Sequence, residues 1–212
     1  VPRGLPDTGF ARRATELAQL LTPVINKVPG GVFFLCTSYQ SMRQIAEVLR
    51  RDVGRLVLLQ GEDNKQRLLT QFVDNGRAIL VATASFWEGV DVRGAALSCV
   101  IIDKLPFTAP DEPLLKARME DCRLQGGDPF TQLQLPDAVI TLKQGVGRLI
   151  RDFQDRGVLV LCDPRLVNRP YGATFLQSLP PMPRCRDLAA INRFWHYGNV
   201  AENGSTSSAD AA

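Results

Sequence analysis

The chain has 212 residues, of which 45% are hydrophobic and 22% charged, a balance that is ordinary for a soluble globular protein with one sizeable core. Its net charge of +3 does not by itself indicate nucleic-acid binding, and no apolar run approaches the roughly 20 residues that a membrane-spanning helix needs. Since the sequence also does not begin with a basic-then-apolar leader, we expect a cytoplasmic protein with no membrane partner.

Strand-like and helical patterns alternate along the chain. Five short apolar runs have the length and hydrophobicity of buried strands, at 31–37, 55–59, 78–82, 98–103 and 157–162. Helical patterns lie before and between these runs, and two short closing helices are predicted at 171–179 and 187–195. Strands of about five residues that alternate with helices predict βαβ units in a mostly parallel sheet with helices on both faces, which is a three-layer α/β fold.

The helical patterns also predict which side chains face the core. Ser38 is placed to cap the helix after the first strand, and Gly76 to end the helix after the second. In the helix before Gly76, the residues expected to face inward are Leu68, Leu69, Phe72 and Val73. In the helix at 113–124 they are Leu114, Leu115, Ala117, Met119 and Cys122.

The two ends of the chain differ from the rest. Residues 1–8 are rich in proline and glycine and predict an extended lead-in to a domain at 9–197. Residues 198–212 are small and polar, with no apolar face to bury, and predict a disordered tail.

Cysteine and histidine usage argues against a metal site in this chain. No two of the five cysteines have metal-ligand spacing, and the single histidine excludes any site that needs two. Cys36, Cys99 and Cys162 lie in apolar strand-like runs, so we expect buried free thiols at these positions.

A helical pattern that begins at Pro136 carries four residues of chemical interest. Gln144, Gly147, Arg148 and Arg151 share one helix face, within an arc of about 100°. Two guanidiniums suit the oxygens of a polyphosphate, and the glycine leaves room for close approach. A solvated face, with the arginines paired to neighbouring acids, is the simpler alternative.

Two strand ends carry further candidates. Thr37, Ser38 and Tyr39 lead from the first strand into a helix, where hydroxyls and free N–H groups could hold a phosphate; a plain helix cap at Ser38 is the simpler alternative. The third strand runs into Thr83 and then a loop with three candidates, which are Glu88, Gly89 and Asp91. Gly89 permits a close approach that a Cβ would block, and Asp91 could accept from a ribose hydroxyl or pair with an arginine.

Three segments resemble the fourth, fifth and sixth motifs of superfamily 2 helicases, in the order that this family has. Gln-x-x-Gly-Arg-x-x-Arg at 144–151 is similar to the sixth motif in the form of the XPD/DinG branch. Trp-Glu-Gly-Val-Asp at 87–91 is similar to the fifth motif, and the segment 34–39 to the fourth. The resemblance extends over nearly all of residues 9–195 and implies a RecA-like, P-loop NTPase-like second lobe.

The resemblance also implies what this chain lacks. No G-x-x-x-x-G-K-[ST] segment occurs, so the expected lobe has no P-loop of its own. ATP and Mg²⁺ are then bound mainly by an N-terminal lobe, which in some relatives also carries an iron–sulfur cluster. The lobe alone is expected to be inactive.

Site roles follow from the resemblance residue by residue. The implied catalytic residues are Arg148 and Arg151, as arginine fingers on the γ-phosphate of ATP, and Gln144. The implied ATP-binding residues are Glu88, Gly89, Asp91 and Gly147. The residues implied to contact the backbone of single-stranded DNA are Thr37, Ser38, Tyr39 and Thr83.

The C-terminal part of the chain supports an alternative function. Residues 170–184 resemble one group of bacterial DinG paralogues, whose members associate with the χ subunit of the replicative clamp loader. If this carries over, the contact involves Arg184, Phe194 and Trp195, and the domain is a protein-docking module. The aromatic residues could instead pack back on the domain. Asp163 and Arg165 are expected to lock the turn after the fifth strand.

Overall fold

A computed structural model describes residues 1–9, 12–83, 86, 90, 92, 96–109, 111–147 and 156–197, without the side chains of residues 192, 196 and 197. Several predicted positions lie outside the described residues, namely Glu88, Gly89, Asp91, Arg148, Arg151 and the tail 198–212.

The described chain alternates strands with helices. The strands are β1 Gly31–Cys36, β2 Val57–Leu59, β3 Ile79–Thr83, β4 Leu97–Ile102 and β5 Val158–Leu161. The helices are α1 Arg13–Lys27, α2 Tyr39–Asp52, α3 Lys65–Asn75, α4 Pro113–Leu124, α5 Leu135–Val146, α6 Arg165–Asn168, α7 Gly172–Ser178 and α8 Ala189–Tyr197. A π-helical turn, Phe130–Gln134, leads directly into α5. None of the described helices is long and apolar enough to cross a membrane.

The five strands form one sheet in the order β2-β3-β1-β4-β5, and all four neighbouring pairs are parallel. The predicted parallel α/β sheet is therefore confirmed. Every residue of β1, β3 and β4 is buried, because these strands lie inside the sheet with helices over both faces.

Successive residues of a strand enter two different cores, one on each face of the sheet. In β1, Phe34 packs into the first core, with residues of α1 and α2, whereas Phe33 packs into the second core, with residues of α3 and α5. Ile191 of α8 joins the first core and Phe175 of α7 the second. The helices thus form the outer two of three layers.

Two inward-facing patterns were predicted only partly correctly. In α3 only Leu68 and Phe72 are buried, Leu69 is partly buried, and Val73 is exposed, because the helix touches the sheet along a narrow stripe. In α4, Leu115 alone is buried, while the other predicted inward positions are exposed or only partly buried. The apolar spacing of α4 therefore does not mark a core-facing side.

The predicted helix ends at Ser38 and Gly76 are confirmed. The Ser38 side chain caps α2 by accepting from the Ser41 N–H at 3.2 Å. Gly76 ends α3 in the left-handed conformation, with φ of 67°.

Arg55 connects several backbone segments at the amino-terminal edge of the sheet. Its guanidinium donates to the carbonyl oxygens of Ile25 at 2.6 Å and Arg77 at 2.6 Å, and also to that of Gly30. Burial lowers the pKa of Arg55 to about 10, so the side chain is still protonated at neutral pH. The end of α1 and the segment before β1 are thereby held by one cation, which adds a donor for a carbonyl at the helix end.

A buried ion pair joins α1 to the carboxyl-terminal edge of the sheet. Arg13, only 3% exposed, lies with Nη2 3.3 Å from Oδ1 of Asp103, which is 1% exposed and follows β4. The same nitrogen donates to the carbonyl oxygens of Asp103 at 2.9 Å and Cys162 at 2.7 Å, and Nη1 donates to that of Pro6. Burial raises the pKa of Asp103, against the opposing effect of Arg13.

The lead-in makes several contacts with the domain besides the hydrogen bond from Arg13 to Pro6. Pro2 is buried, Leu5 packs against the first core, and the Arg3 N–H donates to the Arg186 carbonyl at 3.2 Å. The boundary between a lead-in at 1–8 and a domain at 9–197 stays a prediction.

The expected buried thiols are confirmed at Cys36, Cys99 and Cys162, which are all free and buried. Burial raises the pKa of each thiol, that of Cys99 to about 12. These cysteines therefore carry inert thiols in the folded chain.

Candidate functional site

The candidate nucleic-acid residues lie at the carboxyl-terminal edge of the sheet. Because β1 and β3 are parallel neighbours, with Cys36 paired to Thr83, the segment Thr37–Tyr39 leaves the sheet beside the end of β3. Ligands of open α/β sheets bind at this edge, outside the carboxyl ends of the strands.

The three residues after β1 are exposed, but their hydroxyls have different surroundings. The Ser38 hydroxyl accepts from the N–H of Ser41 and also donates to the Ser41 hydroxyl at 3.0 Å, so the helix-cap alternative holds in this structure. Tyr39 is 58% exposed at the start of α2, and its ring is accessible to a ligand. Thr37 is exposed as well.

Thr83, by contrast, is 7% exposed and bonded to a residue that the motifs do not include. Its N–H lies 2.7 Å and its hydroxyl oxygen 2.9 Å from Oε1 of Gln60. Nε2 of Gln60 lies 3.5 Å from the Tyr39 hydroxyl. Gln60 thus connects the predicted residues after β1 with the one that ends β3. The only sequence signal for it is its place directly after an apolar run.

The helix α5 carries the described part of the third candidate segment. Ala138, Leu142 and Val146 are buried in the second core. Gln144 and Gly147 are exposed. The outward position of these two residues is therefore confirmed, while Arg148 and Arg151 lie outside the described residues.

The described part of the chain does not explain why Gly147 is a glycine. Its φ of −62° is ordinary helical backbone. A Cβ built there would meet, among the described atoms, only carbonyl oxygens of its own helix, the nearest being that of Lys143 at 3.3 Å. Neither backbone conformation nor packing against these residues explains the absence of a side chain.

The predicted Asp163–Arg165 lock is confirmed. Oδ2 of Asp163 accepts from Nη2 of Arg165 at 2.6 Å and from the N–H of Leu105 at 2.8 Å. Although burial works against it, these hydrogen bonds hold the pKa of Asp163 below its usual range. The loops after β4 and β5 are thus tied together.

An aromatic cluster continues from this lock to the start of α5. The Arg165 guanidinium lies 5.3 Å from the centre of the Phe107 ring, which stacks on Phe130 at 5.8 Å. Phe130 opens the π-helical turn and is tilted against Tyr171 at 5.1 Å. The entry to α5 is therefore held by aromatic packing that sequence patterns did not reveal.

The predicted partner-binding residues make contacts within the chain. Arg184 donates from Nη2 to the Leu176 carbonyl at 2.7 Å, and Trp195 packs partly against the first core. The Phe194 ring lies edge-on to Trp195 at 4.9 Å, with the Arg156 guanidinium 4.9 Å from its centre.

Acidic, cysteine and histidine side chains do not gather into metal-ligand groups of three or more anywhere in the described ranges. No role in metal binding is therefore assigned to any described residue.

Comparison with known proteins shows the family of this chain. Residues 21–182 match the family described as Helicase C-terminal domain. The ATP-dependent DNA helicase YoaA of Escherichia coli K12 is 66% identical over 194 residues, which are 92% of this chain and 30% of that protein. YoaA of Haemophilus influenzae is 62% identical over 194 residues, which are again 92% of this chain and 30% of that protein. The ATP-dependent helicase DinG of Mycobacterium tuberculosis H37Rv is 38% identical over 85% of this chain and 26% of that protein.

Solved structures agree in fold. An XPD helicase structure superposes with a TM-score of 0.66 at 22% identity, over 84% of this chain and 34% of that one. The Xpd4 structure from S. tokodaii superposes with a TM-score of 0.59 at 17% identity, over 84% of this chain and 36% of that one. The chain spans about 30% of the length of the two YoaA relatives.

Proposed function

The chain belongs to the helicase C-terminal domain family, and from that premise we propose that it works as the second motor lobe of an ATP-dependent DNA helicase of the XPD/DinG type. The observation that carries this proposal is the pairing of β1 with β3, which sets Thr37–Tyr39 beside Thr83 at one edge of the sheet. The residues for which the family resemblance implies contact with a DNA strand thereby lie close together, which supports the proposal.

In this proposal ATP sits between the lobes, and the N-terminal lobe holds most of its phosphates together with Mg²⁺. Arg148 and Arg151 stabilise the charge that develops on the γ-phosphoryl group, and Gln144 positions the arginines or the attacking water. The remaining residues on the nucleotide side are Glu88, Gly89, Asp91 and Gly147. An iron–sulfur cluster, where relatives have one, belongs to the other lobe.

On the DNA side, contacts go to the sugar–phosphate backbone through Thr37, Ser38, Tyr39 and Thr83. Such contacts bind single-stranded DNA with little regard to sequence and weaken as salt is added. Closure of the cleft around ATP then moves this surface along the strand, and hydrolysis resets it.

The test of the proposal compares the isolated chain with the full-length protein in a phosphate-release assay, with and without single-stranded DNA. We expect no turnover above background from the chain alone, since it supplies half of a site, and DNA-stimulated turnover from the full-length protein. Robust ATP hydrolysis by the isolated chain would contradict the proposal.

A second prediction concerns Gly147→Ala. Because a Cβ fits the described surroundings and φ is helical, the substitution should leave the free energy of unfolding unchanged or raise it by up to about 1 kcal/mol. If the bound nucleotide or the partner lobe approaches this point closely, the same methyl group lowers kcat/KM for ATP in the full-length protein by about tenfold or more.

Urea unfolding of the chain and DNA-stimulated ATP hydrolysis of the full-length protein would be measured on the same variant. Gly54→Ala, at a glycine with no atom within 4 Å of the added Cβ, is the matched control and should leave hydrolysis unchanged. Unaltered kcat/KM in Gly147→Ala would remove this residue from the nucleotide side.

The contact with the χ subunit of the clamp loader is also a proposal, and it rests on resemblance of the C-terminal part alone. All three candidate residues make contacts within the chain, and of the two aromatic ones Phe194 is exposed, at 39%, whereas Trp195 is partly buried. Arg184 and Trp195 are engaged in contacts within the chain.

A further inference from the structure

Gln60 lies beside Thr83 at the edge of the sheet that the proposed function assigns to DNA. It directly follows β2, and its N–H donates to the Val81 carbonyl at 3.0 Å, which extends the ladder between β2 and β3 by one residue. Gly61 then turns the chain away with φ of 96°, a conformation that favours glycine. The backbone of Gln60 is therefore fixed on both sides.

The orientation of the Gln60 carboxamide follows from the chemistry of its partner. A backbone N–H can only donate, so the group 2.7 Å from the Thr83 nitrogen must be the carboxamide oxygen. The same oxygen accepts from the Thr83 hydroxyl at 2.9 Å. The amide nitrogen must then face away from Thr83, and it does so on the side of the Tyr39 hydroxyl, 3.5 Å away.

Gln60 and Tyr39 are more accessible to a DNA strand than Thr83 is. Thr83 is nearly buried, and both its N–H and its hydroxyl are directed at Gln60. Gln60 is half-buried, whereas Tyr39 beside it is exposed. A phosphate oxygen that approaches the gap between β1 and β3 therefore reaches the amide nitrogen of Gln60 and the hydroxyl of Tyr39 before it reaches Thr83.

The nearest described carboxylate along the chain does not oppose an anion here. Glu62 is paired with Arg50, which donates to both of its oxygens, at 2.9 Å in the case of Oε1. Hydrogen bonding to Arg50 holds the pKa of Glu62 below its usual range. Its charge is thus compensated by a cation on α2.

We propose that Gln60 binds a backbone phosphate of single-stranded DNA through Nε2, with the Tyr39 hydroxyl as a second donor. Thr83 then aims the carboxamide as a positioning residue, in place of the direct DNA contact that the family resemblance implies for it. This assignment rests on the proposed function, because it requires DNA to follow this edge. It adds Gln60, which directly follows the edge strand β2, to the DNA-binding residues after β1.

Gln60→Glu in the full-length protein tests the assignment. Glutamate keeps an oxygen for the two Thr83 donors but replaces the amide nitrogen by a second oxygen, which repels a phosphate. We expect the Kd for a fluorescein-labelled oligothymidine to rise about tenfold or more, since a hydrogen bond to a charged group is worth about 1.5–3 kcal/mol. Gln71→Glu, the same change at an exposed position of α3, should leave the Kd within about twofold of the wild type.

Gln60→Ala and Thr83→Val separate binding from positioning. Gln60→Ala should weaken binding without changing the slope of log Kd against log salt, because a neutral amide releases no counterion. Thr83→Val keeps the N–H that orients the carboxamide and should weaken binding less than Gln60→Ala does. A larger loss in Thr83→Val than in Gln60→Ala would overturn the assignment, because the hydroxyl itself would then be the main contact.

The binding experiment distinguishes an incorrect Gln60 assignment from an incorrect proposed function. If wild-type protein binds the oligonucleotide and both Gln60 variants, folded as judged by their unfolding midpoints, bind it equally well, the Gln60 assignment is wrong and the proposed function stands. If the wild-type protein itself does not bind single-stranded DNA, the proposed function is wrong and this assignment falls with it.

Discussion

Arg151→Ala in the full-length protein is expected to abolish DNA-stimulated ATP hydrolysis while leaving ATP binding intact. An arginine finger acts on charge that develops only as the γ-phosphoryl group transfers, so its loss raises the barrier more than it weakens ground-state binding. In NTPases such fingers are worth about 10³–10⁵ in kcat. Phosphate release at saturating ATP and DNA measures the first quantity, and titration with a fluorescent ATP analogue measures the second.

Two further variants show whether such an effect belongs to the guanidinium. Arg151→Lys keeps the positive charge but loses the planar fork of donors, and we expect it to recover little of the rate. Arg123→Ala, at an exposed arginine in the last turn of α4, should hydrolyse ATP like the wild type. Near-normal turnover in Arg151→Ala would refute the finger role.

Arg13→Met is expected to cost the largest amount of stability of any single change considered. It removes the cation from a pair that is almost wholly excluded from water and leaves Asp103 buried without a counter-charge. Breaking a buried pair from one side costs about 3–5 kcal/mol. Urea unfolding of the chain followed by circular dichroism gives the difference in free energy, with Arg43→Met on the exposed face of α2 as the matched control.

The double variant Arg13→Met/Asp103→Leu separates the ion pair from the shape of the site. If the loss comes from the unpaired carboxylate, removing that carboxylate as well should recover about half of the loss or more. The remainder reflects the carbonyl oxygens of Asp103, Cys162 and Pro6, which lose their donor. A double variant no more stable than Arg13→Met would contradict this explanation.

The strands could be predicted from the sequence because a strand buried on both faces is a continuous apolar run. The prediction located β1, β3 and β4 within one or two residues of their observed bounds. It began β2 two residues too early, at Arg55, because the pairing with β3 starts only at Val57, which the hydrophobicity of the run does not reveal. Helix faces were predicted less well, since the apolar spacing in α4 does not tell whether anything covers it.

The candidate site could be predicted only where a motif names its residues. Gln60 carries no pattern of its own, and its role depends on the order of the strands, which brings it beside Thr83, 23 positions further along the chain. Arg13 and Asp103 are 90 positions apart, and neither residue type predicts burial. Such contacts arise from the packing of distant segments, and single-sequence periodicity does not report them.

The central position of β1 has a consequence for how the chain acquires its structure. Its two neighbours, β3 and β4, come later in the sequence, and β5 must pair with β4 in turn. During synthesis from the N-terminus, one edge of β1 therefore stays open until β4 has emerged, and long-range parallel pairing of this kind is slow. Cys36, Cys99 and Cys162 lie on β1, on β4 and directly after β5. All three side chains enter the first core, so we expect their thiols to lose reactivity as helices cover that face of the sheet.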